Sequence, residues 1–305
     1  MILVTGATGT VGRLVLEGLP AHRAVRVLAR DPARVGPARE GVEVVRASYQ
    51  DRTGLRQALT GVSRALLVTS RVAGDDDAAF LSAAREAGVR QVVKLSAAAV
   101  LDAGAQDLIT RWQRDSEAAL TSSGLGWTLL RPRSFMSNAL SWAPSVRAEN
   151  VVRALYGAAP NACVDPRDIA DVAVRALTED GHTGRAYVLT GPRALSAVEQ
   201  TRQLGGVLGR PLRFEELEPA QARASLLRRH PEAVVEALLD SALRQRAGAK
   251  VQVLETVRAV TGAAPRPFLA WARDHAGAFA PPAPLPAHGA GHAVTRAGDG
   301  RRPLC

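Results

Sequence analysis

The first 131 residues alternate short apolar strands with amphipathic helices, and this rhythm restricts the fold more than any other feature. Strands are predicted over 2–5, 25–29, 42–46, 64–69, 90–95 and 126–131. Helices are predicted over 11–20, 53–60, 75–87 and 106–123. The strands are β-branched and mostly lack alternating polarity, which is typical of a parallel sheet covered by helices on both faces. The pattern predicts an α/β fold with a doubly wound parallel (Rossmann) sheet.

The rhythm changes after about residue 145. Further helices are predicted over 165–178, 195–209, 219–229, 231–247 and 250–260, and further strands over 185–192 and 212–217. We therefore divide most of the chain into two parts. Residues 1–145 form a cofactor-binding Rossmann domain whose sheet can recruit strands from 146–192. Residues 146–279 form a smaller, mainly helical substrate-binding region.

The remaining residues, 280–305, are rich in Pro, Gly and Ala and are predicted to be a disordered tail. His288 and His292 lie there four residues apart, which we interpret as solvated tail rather than a metal site. The two cysteines, Cys163 and Cys305, are far apart and form no CxxC motif. The sequence therefore predicts no bound metal and no redox disulfide.

The chain of 305 residues has a formal net charge of +10, carried almost entirely by arginine, because Lys94 and Lys250 are its only lysines. Its basic residues are not interleaved with aromatic ones, so no nucleic-acid partner is predicted. No apolar run approaches the roughly 20 residues of a membrane span, and no signal sequence is visible. We expect a cytoplasmic protein with a small-molecule substrate and no membrane partner. The oligomeric state is left open.

A glycine-rich turn joins the first strand to the first helix in "VTGATGTVGRLV". Glycines allow a tight turn and a close approach of the backbone to a pyrophosphate, while the helix N-terminus offers N–H groups and a positive dipole end. The spacing G-x-x-G-x-x-G differs from the plain G-x-G-x-x-G pattern, and a turn that only packs the helix is the alternative. The predicted cofactor contacts here are Gly6, Thr8, Gly9, Thr10, Val11 and Gly12.

The end of the second strand indicates which nicotinamide cofactor binds. An NAD-binding protein would place an acidic residue there to accept from the ribose 2′-hydroxyl, whereas this strand ends in "VLAR" with Arg30. A guanidinium suits a 2′-phosphate, and Arg34 can assist from the following loop. Asp31 lies one step past the strand and can cap the next turn. The sequence therefore predicts NADP(H) in preference to NAD(H).

Taken together, these motifs resemble the NmrA-like atypical short-chain dehydrogenase/reductases. The resemblance continues through "VVKLSA", "SEAALTSSGLGWTLLRPRSFMSN", "VDPRDIADVAVRALT" and "GRAYVLTGPRALS", and covers roughly residues 1–275. It implies the fold and a nicotinamide cofactor but no particular substrate. The family includes quinone reductases, carbonyl reductases of natural-product pathways, and redox-sensing proteins without turnover.

By position, the resemblance implies further contacts at the carboxyl ends of the strands. Tyr49 and Gln50 are expected near the adenine, and Leu95 and Arg133 near the nicotinamide. The further cofactor residues that it implies are Asp51, Thr69, Ser70, Arg71, Lys94, Pro132, Ser134 and Phe135. The predicted substrate residues are Trp112, Met136, Asn138 and Trp142. An aromatic and thioether wall for a flat substrate would be formed by Trp112, Phe135, Met136 and Trp142. Ordinary core packing of these side chains is the alternative.

The proton donor of the larger superfamily, a Tyr with a Lys four residues later, is absent. The three tyrosines are Tyr49, Tyr156 and Tyr187, and none has this partner. Ser96 is the hydroxyl best placed to polarise a carbonyl, with a structural bond to the backbone as the alternative. Lys94 either reaches the cofactor ribose or is a solvated residue at the edge of the sheet.

Two functions are compatible with the missing acid. The first is an NADPH-dependent reductase that transfers hydride to a carbonyl or quinone able to hold the developing charge, specifically a polycyclic aromatic ketone of secondary metabolism. Such an enzyme contributes mainly orientation. The second is a non-catalytic NADP(H)-sensing regulatory protein of the NmrA type.

Overall fold

The structure, a computed structural model, describes residues 1–36 and 40–280. Its strands are β1 (Ile2–Thr5), β2 (Val25–Ala29), β3 (Val42–Arg46), β4 (Arg64–Leu67), β5 (Gln91–Leu95), β6 (Gly126–Pro132), β7 (Val151–Ala154), β8 (Arg185–Leu189) and β9 (Arg213–Glu216). Seven of them form one sheet in the order β3-β2-β1-β4-β5-β6-β8, and all neighbours are parallel. The predicted doubly wound Rossmann sheet is confirmed, and β8 shows that it draws a strand from 146–192.

Helices cover both faces of this sheet. Their bounds are α1 (Thr10–Gly18), α2 (Arg52–Leu59), α3 (Asp76–Glu86), α4 (Leu108–Thr121), α5 (Ala143–Glu149), α6 (Pro166–Thr178), α7 (Ala197–Val207), α8 (Pro219–Leu227), α9 (Glu232–Arg246), α10 (Thr256–Thr261) and α11 (Phe268–Asp274). Helices α1, α6 and α10 pack on one face, and α2, α3 and α4 pack on the other. Successive side chains of each strand enter these two cores in turn.

The C-terminal region has a core of its own around the buried Trp271 and Phe268. It is mainly helical, as predicted, but it also contains a two-stranded parallel sheet of β7 and β9. Helix α5 and strand β7 are both absent from the sequence prediction because each is short, with seven and four residues. The domain boundary at 145/146 stays a prediction.

One predicted helix is only half correct. Residues 250–255 are not helical, and α10 begins at Thr256. The segment is held near the end of β8 by Thr190, whose Oγ1 accepts from the Leu254 N–H at 3.0 Å. The backbone carbonyl of Lys250 accepts from the Ala162 N–H at 2.9 Å. These bonds satisfy backbone groups outside a helix and fix the position of Lys250.

No helix in the described part of the chain is both long and apolar enough to span a membrane. Within residues 1–36 and 40–280, no three His, Cys, Asp or Glu side chains are grouped so that they could hold a metal ion. The tail prediction and the His288/His292 pair fall at 281–305, outside the described residues.

Candidate active site

The glycine-rich turn has the shape that a pyrophosphate requires. Gly6 has a φ of +66°, and a Cβ there would lie 2.9 Å from Val68 Cβ. A Cβ on Gly12 would overlap the Gly6 carbonyl, so this glycine lets α1 pack closely on β1. Gly9 is the N-cap of α1 and leaves the first turn without a side-chain cap. The exposed Thr8, Gly9 and Thr10 surround this end, so the turn fits a phosphate-bearing cofactor.

Two predictions for the end of β2 agree with the geometry. Arg30 is exposed directly after the strand, and Arg34 is exposed on the 3₁₀ helix that follows. Asp31 accepts from the Ala33 N–H at 3.2 Å and caps that helix. Asp31 therefore has a structural partner, while the two guanidinium groups face solvent at the adenine end. Their contact with a 2′-phosphate stays a prediction.

Several residues assigned to the cofactor have partners within the protein, and their contact with the cofactor stays a prediction. Tyr49 donates to the Val68 carbonyl at 2.9 Å, and burial raises the pKa of its hydroxyl above the ordinary value. Asp51 is the N-cap of α2 and accepts from the Gly54 N–H at 2.9 Å. Arg71 forms ion pairs with Asp75 and Asp76 at the start of α3.

The structure corrects the prediction for the position of the Lys94 side chain. Its side chain is fully buried, so it is neither a solvated edge residue nor within reach of a cofactor ribose. Its Nζ lies 2.7 Å from Asp77 Oδ1 and 5.9 Å from the ring centre of Trp112. Thr69 and Ser116 also donate to the Asp77 carboxylate. The reason is strand geometry, because Lys94 and Val92 point towards α3 and α4, beneath the site.

The acidic residues Asp75, Asp76 and Asp77 lie at the start of α3. Asp75 is the N-cap of α3 but makes no capping bond with its side chain. Asp77 instead partners the buried Lys94. An ammonium inside a protein needs a carboxylate partner, which accounts for the burial of Asp77.

The hydroxyl of Ser96 has a structural partner, and its predicted role towards a substrate carbonyl stays a prediction. Its hydroxyl donates to Glu117 Oε1 at 2.5 Å, and Glu117 forms a two-bond ion pair with Arg131, at 2.9 and 2.5 Å. A hydroxyl has one hydrogen, so Ser96 in this arrangement can accept a hydrogen bond but cannot donate one to a substrate carbonyl. The buried Ser96–Glu117–Arg131 chain links β5, α4 and β6 and fixes the floor of the site.

A cavity of about 320 Å³ opens above this floor, at the carboxyl ends of β5 and β6. In an open parallel sheet, ligands bind at this edge. The cavity brings together six residues that the sequence assigned to cofactor, substrate or catalysis: Ser96, Pro132, Arg133, Ser134, Phe135 and Asn138. Its outer side is formed by α9, through Ala237, Leu238 and Ser241. We call this cavity the cleft.

The predicted aromatic wall is not assembled. Trp112 lies over Lys94 on the α3 side of the sheet and does not line the cleft. Met136 is buried in the C-terminal core, and Trp142 packs against that core. Only Phe135 of the four side chains lines the cleft. The alternative, ordinary packing, is correct for the other three.

Three cations at the cleft were not singled out from the sequence as substrate ligands. They are Arg133, Arg244 and Lys250. Arg133 follows β6 directly, and α9 carries Arg244. Lys250 lies in the segment that was wrongly predicted to be helical. Its rarity, as one of two lysines in a chain rich in arginine, was the one signal available.

A family model described as NAD(P)H-binding matches residues 6–180, which include the glycine-rich turn and the strand ends that form the cleft. The chain belongs to this NAD(P)H-binding family. The predicted nicotinamide cofactor is thereby confirmed, and so is the assignment to the NmrA-like atypical short-chain dehydrogenase/reductases. A solved structure of mutant NmrA has the same fold, with a TM-score of 0.71 at 16% identity over 90% of this chain and 94% of that one.

Enzymes of the family are similar over nearly the whole chain. The (4-alkanoyl-5-oxo-2,5-dihydrofuran-3-yl)methyl phosphate reductase of Streptomyces griseus is 56% identical over 281 residues, which are 92% of this chain and 100% of that enzyme. The NADPH-dependent quinone oxidoreductase of Escherichia coli, crystallised with NADPH, has a TM-score of 0.78 at 28% identity, over 90% of this chain and 99% of that one. This member of the family is an NAD(P)H-dependent oxidoreductase.

Proposed function

We propose that the protein is an NADPH-dependent reductase of a 4-acyl-5-oxo-2,5-dihydrofuran, the compound class on which the Streptomyces griseus relative acts. The observation that carries the proposal is that the cleft has no tyrosine acid. Tyr49 is bonded to Val68, the hydroxyl of Tyr187 lies 2.8 Å from His182 Nδ1, and Tyr156 lies beneath Arg246. The substrate itself must therefore hold the negative charge that hydride transfer creates.

A 4-acyl-5-oxo-2,5-dihydrofuran meets this requirement. Its ring C3=C4 bond is conjugated with both the lactone carbonyl and the acyl carbonyl. Bound NADPH would supply the hydride. On its addition to C3 of the substrate, the electron pair of the double bond moves to C4 and the two carbonyl oxygens, and a solvent proton then completes the reduction at C4. A carbanion beside two carbonyls needs no strong protein acid, so orientation is the main contribution of the protein.

The residues of the cleft supply that orientation. Pro132 and Ser134 come from the end of β6, where the backbone is fixed by Arg133 N–H donating to the Leu189 carbonyl at 2.9 Å. Asn161 donates to Ser134 Oγ at 2.9 Å and holds this segment against the C-terminal region. The Ser96–Glu117–Arg131 chain keeps the ends of β5 and β6 in register. These groups position a substrate without taking part in proton transfer.

The polycyclic aromatic ketone expected from the sequence is disfavoured, because three of the four residues of its wall are packed elsewhere. A quinone remains the second candidate, since it also holds the charge of a transferred hydride and is the substrate named for the Escherichia coli enzyme. The predicted cytoplasmic location is part of the same proposal.

The test is NADPH oxidation by the purified protein with three compounds. They are (4-hexanoyl-5-oxo-2,5-dihydrofuran-3-yl)methyl phosphate, its ring-saturated counterpart, and a benzoquinone. We expect the first to be consumed, with two hydrogens added and the ketone intact, and the saturated compound to be inert. Equal turnover of the saturated compound would mean ketone reduction, and faster turnover of the quinone would favour the second candidate. Tight NADPH binding with no turnover of any compound would support the sensor.

A further inference from the structure

Two cations of the cleft lack a carboxylate partner. Arg133 and Lys250 form no ion pair within the described residues, and the buried Nε of Arg133 has no hydrogen-bond partner there. Lys250 Nζ donates to Ser241 Oγ at 2.8 Å, which leaves two of its three donors for another ligand. Partial burial of an unpaired cation costs free energy unless an anion binds to it.

The third cation has its partners already. Arg244 lies 2.6 Å from Asp107 Oδ2 and 3.5 Å from Asp102. Asp107 in turn caps α4 by accepting from the Thr110 N–H at 2.9 Å. This cation therefore joins α9 to α4, and the net positive charge of the cleft comes from Arg133 and Lys250.

We propose that Arg133 and Lys250 form a subsite for a phosphate monoester carried by the substrate. The guanidinium can bond two oxygens of a phosphate at once, and the ammonium can neutralise a further charge. Phe135 and the α9 residues Ala237 and Leu238 provide apolar surface in the same cavity, suited to the ring and acyl chain of the substrate. The inference rests on the proposed function only in placing the substrate in the cleft.

The phosphates of the cofactor are the other source of the same chemistry, and the topology disfavours them. The 2′-phosphate is expected at Arg30 after β2, and the pyrophosphate at α1. Strand β5 is three neighbours from β2 in the sheet, roughly 14 Å away, and β6 is one strand further. The two cations thus lie at the opposite end of the site from Arg30.

The experiment measures equilibrium binding, so that it does not depend on turnover. The probes are (4-hexanoyl-5-oxotetrahydrofuran-3-yl)methyl phosphate and the matching hydroxymethyl compound, each titrated into the full-length protein loaded with NADP⁺. We expect Arg133→Gln to weaken binding of the phosphate compound by about 10- to 100-fold, the effect of one charged hydrogen-bonding group. Lys250→Met should weaken it similarly, and Lys250→Arg should restore much of the affinity. The affinity ratio between the two probes should shrink accordingly.

Arg202→Gln is the matched control, because it removes an exposed positive charge on α7, away from the cleft. It should leave both probe affinities as they are. Equal weakening of both probes by Arg133→Gln would overturn the proposal, as would an equal loss of NADPH affinity, which would assign the cations to the cofactor. Failure of the wild-type protein to bind the phosphate probe would also overturn it, even if the hydroxymethyl substrate is reduced. Binding without any turnover would contradict the proposed function alone.

Discussion

At the scale of single residues, Arg30 is the group that we expect to distinguish the two nicotinamide cofactors. It is exposed after β2, whereas the acidic neighbour Asp31 is occupied in capping the next turn. A charged contact to a 2′-phosphate contributes about 1.5–3 kcal/mol. We expect Arg30→Ala to weaken NADPH binding by about ten- to a hundredfold and to leave NADH binding nearly unchanged, in fluorescence titrations of both cofactors. Equal affinity of the wild-type protein for NADPH and NADH would contradict the assignment.

Lys250 gives the phosphate subsite a dependence on pH. Burial lowers the pKa of its ammonium from 10.5 to about 8; Arg244 and Arg133 act in the same direction, while Cys163 and Asp107 oppose it. Phosphate binding needs the charged form, so the affinity of the phosphate probe should fall as pH rises through about 8. Lys250→Arg should bind with little change up to pH ~9.5, because a guanidinium stays protonated. A wild-type affinity that is constant over this range would contradict the assignment.

Unfolding does not explain such a loss of affinity. The pKa of Lys250 is lower in the folded protein than its ordinary value, so the unfolded state binds more protons between pH 8 and 10.5. The contribution of this group to the free energy of unfolding therefore increases with pH across that window. Thermal unfolding of the protein at each pH, measured beside the titration, separates the two effects.

At the scale of elements, the turn between β1 and α1 separates binding from packing. Gly9 is exposed at the N-cap, whereas a Cβ at Gly12 would overlap the Gly6 carbonyl. Gly9→Val should therefore abolish NADPH binding with little change in Tm, since its side chain would block the pyrophosphate. Gly12→Ala should lower stability by about 1–3 kcal/mol through overpacking. Unchanged NADPH affinity in Gly9→Val would mean that the glycines serve packing only.

The ion pair beneath the site, Lys94–Asp77, ties β5 to α3. Removing one partner of a buried pair leaves the other charge uncompensated and costs about 3–5 kcal/mol. Asp77→Asn should thus lower the free energy of unfolding by that amount, while Asp77→Asn combined with Lys94→Met should recover part of it. Urea unfolding of the two variants measures the difference. A loss below about 1 kcal/mol in Asp77→Asn would show that the pair is not needed.

At the scale of the whole molecule, the sequence predicted the sheet better than the side chains on it. Runs such as ILVT at 2–5 and VRVLA at 25–29 are apolar and β-branched, and their bounds were correct. Strand periodicity could not show that the face carrying Lys94 is covered by Asp77, because that pairing depends on how α3 packs. Residues 250–255 were misassigned because bonds to Thr190 and Ala162, distant in sequence, override local helix propensity.

Contacts between residues that are distant in sequence also decided how much of the site could be predicted. The cofactor turn is local in sequence, so its glycines could be found from spacing alone. The cleft combines the ends of β5 and β6 with α9, whose lining residue Ala237 follows Pro132 by 105 positions. A single sequence does not report such contacts. Arg133 and Lys250 consequently became recognisable as one subsite only when the fold had placed them in one cavity.

In the proposed reaction, hydride is added to a conjugated double bond whose carbonyls hold the negative charge. The most direct measurement uses NADPH carrying deuterium at both C4 positions of the nicotinamide, with (4-hexanoyl-5-oxo-2,5-dihydrofuran-3-yl)methyl phosphate in ordinary water, and locates the label in the product by NMR. We expect one deuterium at ring C3 and an intact ketone. Deuterium on the former carbonyl carbon of the hexanoyl group, or product without deuterium, would contradict it.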